Sequence, residues 1–368
     1  MKTAVIVIPT YNEADNITRL IDAVCDTVKT IDGWDFKLLV VDSKSPDKTA
    51  DIVKSIQKTN KAVYLLDTEK EGIGKAYTRG FQHALEKFKP DVLFEMDADY
   101  SHDPKALPSF IRKIDAGADM VIGSRYTKGG SIPKDWGLDR KIFSVMGNLI
   151  VRAGFLKLSI TDWTGGYRAI RANLVAASIH HVNRYTGYVF QIALLDFAVK
   201  HGAKIAEVPI KFTDRKYGVS KINSGHYIQN IFTYIFQHST FVKYVITGGM
   251  GFLLDFGILY TLYRVMGWPI WLSQMISAET AILSNFTFNN FWAFSHKREA
   301  GRRRFLKNIV KFHGVSAGSL IIQTSAVTIY EYFFGDPGVF VFKFFVIAFI
   351  ILPYSYILYN RVIWKKKK

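Results

Sequence analysis

Two aspartates separated by one residue, Asp97 and Asp99, are the side chains with the clearest chemical potential in this sequence. They follow an apolar run at residues 92–96, which is typical of a buried strand. Ligands of parallel α/β sheets bind at the carboxyl ends of strands, so the pair lies where a ligand would bind. Paired carboxylates suit Mg²⁺ or Mn²⁺, hard cations that often share their ligands with a diphosphate. An Asp-x-Asp pattern alone also occurs in solvated turns.

Polar side chains follow two other predicted strands, at residues 4–8 and 36–41. The first run leads into Pro9-Thr-Tyr-Asn-Glu13 and the second into Val41-Asp42. An aromatic ring and carboxylates at one sheet edge can hold a base and its ribose. We therefore expect these three strand ends to form a single ligand-binding edge.

Two arginines supply the opposite charge. Arg125 follows a predicted strand at residues 120–122, and Arg140 comes later in the chain. The guanidinium group suits phosphate oxygens because it is forked and always charged. The net charge of +17 likewise favours an anionic partner, which could be nucleic acid, a phosphorylated substrate or a membrane surface. The single cysteine, Cys25, excludes an intrachain disulfide.

The N-terminal part of the chain alternates short apolar runs with segments of helical periodicity. The predicted strands cover residues 4–8, 36–41, 62–66, 92–96 and 120–122, and the predicted helices cover residues 14–28, 49–56 and 77–88. Such alternation predicts an α/β fold, a mostly parallel sheet with helices on both faces. We interpret the glycines of residues 71–75 as a flexible loop, and His102 as a structural histidine rather than a ligand.

The C-terminal part has a different solvent preference. Four apolar spans cover residues 242–264, 269–294, 310–334 and 339–363. Each is about as long as the ~20 residues that cross a bilayer core. They predict an all-α domain of four transmembrane helices, with four buried helices of a soluble domain as the less favoured alternative.

Cations alternate in phase with these spans. Six lie between spans two and three and four end the chain: Lys297, Arg298, Arg302, Arg303, Arg304, Lys307 and Lys365, Lys366, Lys367, Lys368. The other two connections hold no Lys or Arg. The positive-inside rule then predicts a multi-pass cell-membrane protein whose N-terminal domain and C-terminus are cytoplasmic. Membrane lipids account for the cationic clusters, so we expect no nucleic-acid partner.

Several motifs together resemble the GT-A (Rossmann-like) glycosyltransferases of family 2, and among them the polyprenyl-phosphate (dolichol-phosphate) mannose synthases. These motifs are Pro9-Thr-Tyr-Asn-Glu13, Val41-Asp42, Glu95-Met-Asp-Ala-Asp-Tyr-Ser-His-Asp-Pro104, Gly123-Ser-Arg-Tyr126, Trp163-Thr-Gly-Gly-Tyr-Arg168 and Gly187-Tyr-Val-Phe-Gln191. The membrane half is similar to the GtrA family through Asn285-Phe286, Asn289 and Trp292-Ala-Phe294.

The resemblance implies roles for individual residues. Those expected at the donor nucleotide sugar are Pro9, Tyr11, Glu13, Val41, Asp42, Asp97, Ala98, Asp99, Arg125, Arg215 and Lys221. Asp97, Asp99 and Arg125 would be catalytic. The metal, Mg²⁺ or Mn²⁺, would bind Asp99 and Ser101, although relatives often carry Gln at the latter position. Arg125, Arg140 and Ser144 would receive the acceptor phosphate.

The implied organisation is a GT-A domain at residues 1–221, an interfacial amphipathic linker at 222–240 and a GtrA-like domain at 241–368. The implied reaction is inverting transfer of mannose from GDP-mannose to a polyprenyl (dolichyl) monophosphate at the cytoplasmic membrane face. That phosphate is already anionic near neutrality, so no strong general base is needed. One alternative transfers glucose from UDP-glucose to undecaprenyl phosphate. Another is a glycolipid-translocating membrane protein with a recognition domain.

Overall fold

The computed structural model describes residues 1–213, 224–298, 301–335 and 338–364. The chain divides into two compact units, Met1–Tyr234 and Ile235–Lys368, and the division falls within the predicted linker segment. The strands of the first unit are β1 (Lys2–Thr10), β2 (Trp34–Asp42), β3 (Val63–Asp67), β4 (Val92–Glu95), β5 (Met120–Ser124), β6 (Arg168–Arg171) and β7 (Ile205–Pro209).

The strands form one seven-stranded sheet in the order β3-β2-β1-β4-β6-β5-β7. All neighbouring pairs are parallel except those of β6, which runs antiparallel to both β4 and β5. Strands β2, β1 and β4 lie side by side, and Thr10 is paired with Asp42. The prediction of a mostly parallel sheet that gathers these three strand ends at one edge is therefore confirmed.

Helices cover both faces of the sheet, as predicted. They are α1 (Ala14–Val28), α2 (Thr49–Thr59), α3 (Ile73–Phe88), α4 (Leu107–Asp115), α5 (Leu138–Phe155), α6 (Ala172–Val182) and α7 (Val189–Lys200). Alternate residues of β1 point to opposite faces. Ile6 and Ile8 belong to the core shared with α1, α2 and α4, whereas Val7 faces α3. A Cβ on Gly80 would lie 2.5 Å from Val7 Cγ1, so glycine lets α3 approach the sheet closely.

Several features of this unit differ from expectation, including helices α4 to α7, which were not predicted individually. Strands β6 and β7 were not predicted, because neither contains an apolar run. The interpretation of residues 71–75 as a loop holds only for residues 71–72, since α3 already begins at Ile73. There the backbone N–H of Gly74 donates to Thr186 O at 2.9 Å, and an added Cβ would overlap the carbonyl oxygen of Tyr185.

The second unit is helical. Helix α8 (Ser224–His238) crosses the division, and α9 (Thr240–Tyr260), α10 (Ile270–Phe288), α11 (Arg302–Phe334), α12 (Val339–Val346) and α13 (Leu352–Leu358) follow. Helix α9 continues as a π-helical turn to Val265, and a further π-helical turn joins α12 to α13. All four predicted spans fall on helices. Among the described residues, two stretches are both long and apolar enough to cross a membrane, Thr240–Val265 and Phe344–Ile363.

Polar and aromatic contacts hold these helices together. Thr247 Oγ1 of α9 donates to Asn289 Oδ1 at 3.1 Å, just after α10. Phe294 stacks on Trp364 with ring centroids 4.4 Å apart, and Trp364 Nε1 donates to Asn290 Oδ1. Three positions of the GtrA-like motifs, at residues 285, 289 and 294, thus contact other helical segments of this unit or lie in its core.

Candidate active site

The turn after β4 carries the two aspartates. Asp97 is 31% exposed, its Oδ1 accepts a hydrogen bond from Tyr77 Oη at 3.0 Å, and its backbone N–H donates to His102 Nδ1 at 3.0 Å. Asp99 is 9% exposed, and its Oδ1 accepts the N–H of Ser101 at 3.1 Å. Tyr100, directly after Asp99, has φ 65°, a left-handed conformation that reverses the chain. The turn thus fixes both carboxylates at the sheet edge.

His102 is a positioning residue for this turn. Its ring is buried and stacks on Tyr167 with centroids 4.8 Å apart. Burial lowers the pKa of the imidazole, although Asp97 and Asp99 oppose that shift. A neutral ring that accepts at Nδ1 carries its proton on Nε2. The expectation of a structural histidine agrees with this geometry.

The aspartate at the end of β2, Asp42, is buried and hydrogen-bonded within the protein, which the sequence did not indicate. Asp42 is fully buried, and its carboxylate accepts hydrogen bonds from Thr10 Oγ1 at 2.9 Å, Ser45 N at 2.8 Å and Ser45 Oγ at 2.6 Å. These bonds shape the loop that follows β2. Asp42 therefore lies at the predicted edge, but its direct structural role is to hold that loop.

The end of β1 presents more open groups. Tyr11 is partly exposed, and Lys70 Nζ lies 3.6 Å from its ring centroid. Glu13 directly precedes α1, and its Oε2 accepts from Asn16 Nδ2 at 2.9 Å. Pro9 is paired with Val41 across the two strands, and Ala98 is buried between the aspartates. An aromatic face and a carboxylate are thus available beside the acidic turn.

Arg125 forms a forked ion pair at the end of β5. Its Nε and Nη2 each lie 2.8 Å from an oxygen of Asp162, and Nη2 also donates to Thr164 Oγ1 at 2.7 Å. The side chain of Arg125 is 11% exposed and that of Asp162 is fully buried. Burial opposes ionisation of Asp162, but Arg125 holds the pKa of this carboxyl below its usual range. The pair is charged, and it fixes the guanidinium group at the site.

An aromatic cluster links the acidic turn to the arginines. The ring of Phe212 lies 6.2 Å from that of His102, 5.8 Å from that of Trp136 and 5.6 Å from Arg125 Cζ. Arg140 Cζ lies 4.0 Å above the Trp136 ring. Sequence reasoning missed Phe212 and Trp136. The chain contains 28 phenylalanines and 7 tryptophans, and no sequence motif marks these two.

Two of the three predicted acceptor residues lie on one helix. Arg140 and Ser144 are four residues apart on α5 and so share a face. Ser144 Oγ lies 2.6 Å from Tyr126 Oη, and Tyr126 directly follows Arg125. The structure therefore brings Arg125, Arg140 and Ser144 into one neighbourhood. The remaining two candidates, Arg215 and Lys221, lie outside the described residues.

The chemistry of the acidic turn fits a hard divalent cation. Asp97 and Asp99 supply carboxylate oxygens, the ligands that Mg²⁺ and Mn²⁺ prefer. Within the described part of the chain, no group of three or more His, Cys, Asp and Glu side chains is arranged to hold a metal alone. A cation that is shared with a ligand's phosphate oxygens is the arrangement that this donor set suits.

The fold and the site together define a class of protein. Its members combine an α/β catalytic domain, with the active site at one edge of the sheet, and a helical membrane domain. The protein-family model described as "Glycosyl transferase family 2" matches residues 5–178. The model described as "GtrA/DPMS, transmembrane domain" matches residues 243–364. The chain is thus a membrane protein with a family 2 catalytic domain.

Three curated relatives extend these matches. An undecaprenyl-phosphate mannosyltransferase of Micrococcus luteus is 40% identical over 60% of this chain and 87% of its own length. A dolichol-phosphate mannosyltransferase of Pyrococcus furiosus is 30% identical over 88% of this chain and 89% of its own length. A polyprenol monophosphomannose synthase of Mycolicibacterium smegmatis is 36% identical over 62% of this chain and 83% of its own length. The chain belongs to glycosyl transferase family 2 and is a glycosyltransferase.

Proposed function

We propose that this enzyme transfers mannose from GDP-mannose to a polyprenyl monophosphate at the cytoplasmic face of the membrane. The observation that carries the proposal is the acidic turn at Asp97 and Asp99, set beside Arg125 in a chain whose relatives are named undecaprenyl-phosphate and dolichol-phosphate mannosyltransferases. The basic connection after α10 and the positive-inside rule support the cytoplasmic orientation.

The donor would lie along the ends of β1, β2 and β4. Tyr11 and Glu13 offer a ring and a carboxylate for the nucleoside, and the loop held by Asp42 shapes the same edge. The diphosphate would meet the turn that carries Asp97 and Asp99. A Mg²⁺ or Mn²⁺ ion at Asp99, with Ser101 close by in the same turn, would stabilise the charge that develops on the leaving diphosphate.

The acceptor phosphate would meet the cationic side of the site. Arg140 lies over Trp136, and Ser144 shares its helical face. Arg125 is held in place by Asp162, so its charge does not have to reorganise during the reaction. An oxygen of the lipid phosphate attacks the anomeric carbon of mannose while the bond from that carbon to the nucleoside diphosphate breaks.

The test is a pair of measurements on the purified full-length protein. Calorimetric titration with GDP-mannose and with UDP-glucose, each with Mn²⁺, measures donor preference. Transfer of labelled mannose to polyprenyl phosphate in lipid vesicles measures activity. Asp99→Ala should abolish transfer, whereas Asp103→Ala, an exposed acid of the same segment, should retain it.

Three results would contradict the proposal. Preferential binding of UDP-glucose would overturn the choice of donor. Full activity of Asp99→Ala would overturn the assignment of the site. Movement of a preformed glycolipid across the bilayer, without any transfer of mannose, would support translocation instead.

A further inference from the structure

Glu207 lies on β7 beside the catalytic edge of the sheet. It is paired with Ile122 of β5, three residues before Arg125. Its carboxylate accepts hydrogen bonds from three groups of the loop that leads into β6. These are Thr161 N at 2.7 Å, Thr161 Oγ1 at 2.9 Å and Asp162 N at 3.2 Å. Glu207 thus ties β7 to the loop that carries Asp162.

The loop at residues 161–165 is held by side-chain oxygens. Each of its five backbone N–H groups donates to a carboxylate or an amide: those of Thr161 and Asp162 to Glu207, that of Trp163 to Asn148, and those of Thr164 and Gly165 to Asp162. Backbone N–H groups that are not paired in a strand or helix need such acceptors, and the acceptors then set the path of the chain. Glu207 therefore fixes the backbone from which the Asp162 side chain reaches Arg125.

A second set of bonds runs from the same carboxylate to the residues after Arg125. Thr161 Oγ1 lies 2.6 Å from Ser124 Oγ, which accepts the backbone N–H groups of residues 126 and 127 at 3.2 and 3.1 Å. A carboxylate only accepts, so the one hydroxyl proton of Thr161 points to Glu207, and Ser124 donates its own proton to Thr161. All bonds of this chain then point toward the negative charge of Glu207, an order in which each bond polarises the next.

The two sets of bonds converge on Arg125. One set holds Asp162, whose oxygens lie 2.8 Å from the guanidinium nitrogens, and the other holds the backbone that follows Arg125. The backbone N–H of Arg125 also donates to Asp162 Oδ2 at 3.1 Å, which closes the two sets into one network. Ser124 and Asp162 are fully buried, so a bond lost there would leave a polar group without solvent to replace its partner.

We propose that Glu207 is a positioning residue that sets the guanidinium group of Arg125 for the reaction. Its carboxylate fixes both the acidic partner of Arg125 and the backbone that follows the arginine. The guanidinium group therefore meets the phosphates of the substrates without first reorganising. The effect on catalysis rests on the proposed role of Arg125 in mannose transfer, whereas the structural link between Glu207 and Arg125 does not.

Kinetics of the purified full-length protein test the positioning role. Glu207→Gln keeps the size of the side chain and one oxygen for the loop N–H groups, but its amide nitrogen cannot accept the hydroxyl proton of Thr161. In the vesicle transfer assay kcat should fall by about tenfold, while KM for the donor stays within about twofold. The matched control is Glu86→Gln, an exposed acid of α3, which should change neither constant.

The hydroxyl group of Thr161 provides an independent pair of variants. Thr161→Val removes the hydroxyl group at nearly constant shape and should lower kcat as Glu207→Gln does. Thr161→Ser keeps the hydroxyl group and should retain kcat within about twofold. Equal kcat values for the valine and serine variants would contradict the proposed chain of hydrogen bonds.

A double-mutant cycle with Arg125→Lys shows whether Glu207 acts through the arginine. Each single change should lower kcat by about tenfold or more, but Glu207→Gln should cost less than about twofold in the Arg125→Lys background. Losses that simply multiply would overturn the proposal, because Glu207 would then support the fold without positioning the arginine.

Thermal unfolding in detergent distinguishes this proposal from the proposed function. The same four proteins are compared by their unfolding midpoints, and the shifts of the single variants should not add if the two residues are linked. If the unaltered protein transferred no mannose, the proposed function would fail, and non-additive midpoint shifts would still support the link between Glu207 and Arg125. Additive shifts would refute that link whatever the activity.

Discussion

The guanidinium group of Arg125 and the carboxylate of Asp162 are joined by two parallel contacts of 2.8 Å. Arg125 follows β5, and Asp162 belongs to the loop that leads into β6. The pair thus ties two neighbouring strands together at the catalytic edge. Because the pair is almost entirely buried, removing either partner would leave the charge of the other uncompensated.

Replacing Asp162 by Asn should be strongly destabilising. The variant leaves the buried Arg125 charge uncompensated, a change that costs about 3–5 kcal/mol of unfolding free energy. Arg125→Lys should also lose activity, because a lysine keeps the charge but cannot form the fork. Denaturant unfolding measures the loss of stability, and the transfer assay measures the loss of activity.

The control for stability is Glu71→Gln, which breaks an exposed pair with Arg79 and should cost at most about 1 kcal/mol. If Asp162→Asn and Glu71→Gln lowered the free energy of unfolding equally, the structural role of the buried pair would be contradicted.

The buried Glu95 should make stability depend on pH. Burial raises the pKa of this carboxyl from 4.5 to about 7, although Arg168, with Nε 4.0 Å away, opposes the shift. Between these values the folded protein keeps a proton that the unfolded chain releases, so stability falls as pH rises through this window. The loss is at most about 3 kcal/mol.

Thermal unfolding between pH 4.5 and 7.5 measures this dependence. Glu95→Gln should flatten it, because the glutamine has no proton to release. Glu69→Gln, an exposed acid near Lys44, should leave the slope unchanged. An unaltered slope in Glu95→Gln would show that another group titrates.

Tyr77→Phe should separate catalysis from stability. The change removes the hydrogen bond to Asp97 Oδ1 and keeps the ring that stacks on Phe190 with centroids 5.9 Å apart. We expect a stability loss of about 1 kcal/mol. Turnover should fall by about tenfold or more, because the position of the Asp97 carboxylate is loosened. Steady-state kinetics should show the effect in kcat more than in KM, whereas Tyr64→Phe on β3 should change neither; a shift in KM alone would argue against a positioning role.

Two glycines of α9 provide a matched pair in the membrane unit. A Cβ on Gly251 would overlap the side chain of Asn285, whereas nothing lies within 4 Å of a Cβ on Gly249. Gly251→Ala should therefore destabilise the unit by about 1–3 kcal/mol through overpacking. Gly249→Ala should be neutral or stabilising by up to about 1 kcal/mol, since alanine favours the helix. Thermal unfolding in detergent compares them, and equal midpoints would refute this packing of α9 against α10.

Sequence reasoning could predict those parts of the fold in which the apolar residues of the local sequence pattern are also the residues that are buried. Strand β1 contains a continuous apolar run at residues 4–8, and α1 has the predicted bounds of residues 14–28 because its periodicity is clear. Strand β6 was missed because Arg168 and Arg171 interrupt any apolar signal. The buried Arg168 donates hydrogen bonds to the carbonyl oxygens of Trp163 and Gln191, and its Nε lies 4.0 Å from Glu95.

The candidate site shows the same limit. The order of strands brings the ends of β1, β2 and β4 together, which general rules for parallel sheets predict. The pairing of Arg125 with Asp162 joins residues that are 37 positions apart, and no local pattern indicates it. The burial of Asp42 under Thr10 and Ser45 depends on a loop conformation that its sequence does not specify.

The reversed direction of β6 affects how this enzyme can diversify. Because β6 is antiparallel, the segment before it reaches the same edge at which β4 and β5 end. That segment carries Asp162 and Thr164 and connects α5 to the sheet. Insertions or deletions near residues 156–160 would move Asp162 and Thr164 relative to Arg125, while β1, β2 and β4 keep their register. The fold therefore lets one part of the candidate site change in length while the other part keeps its geometry.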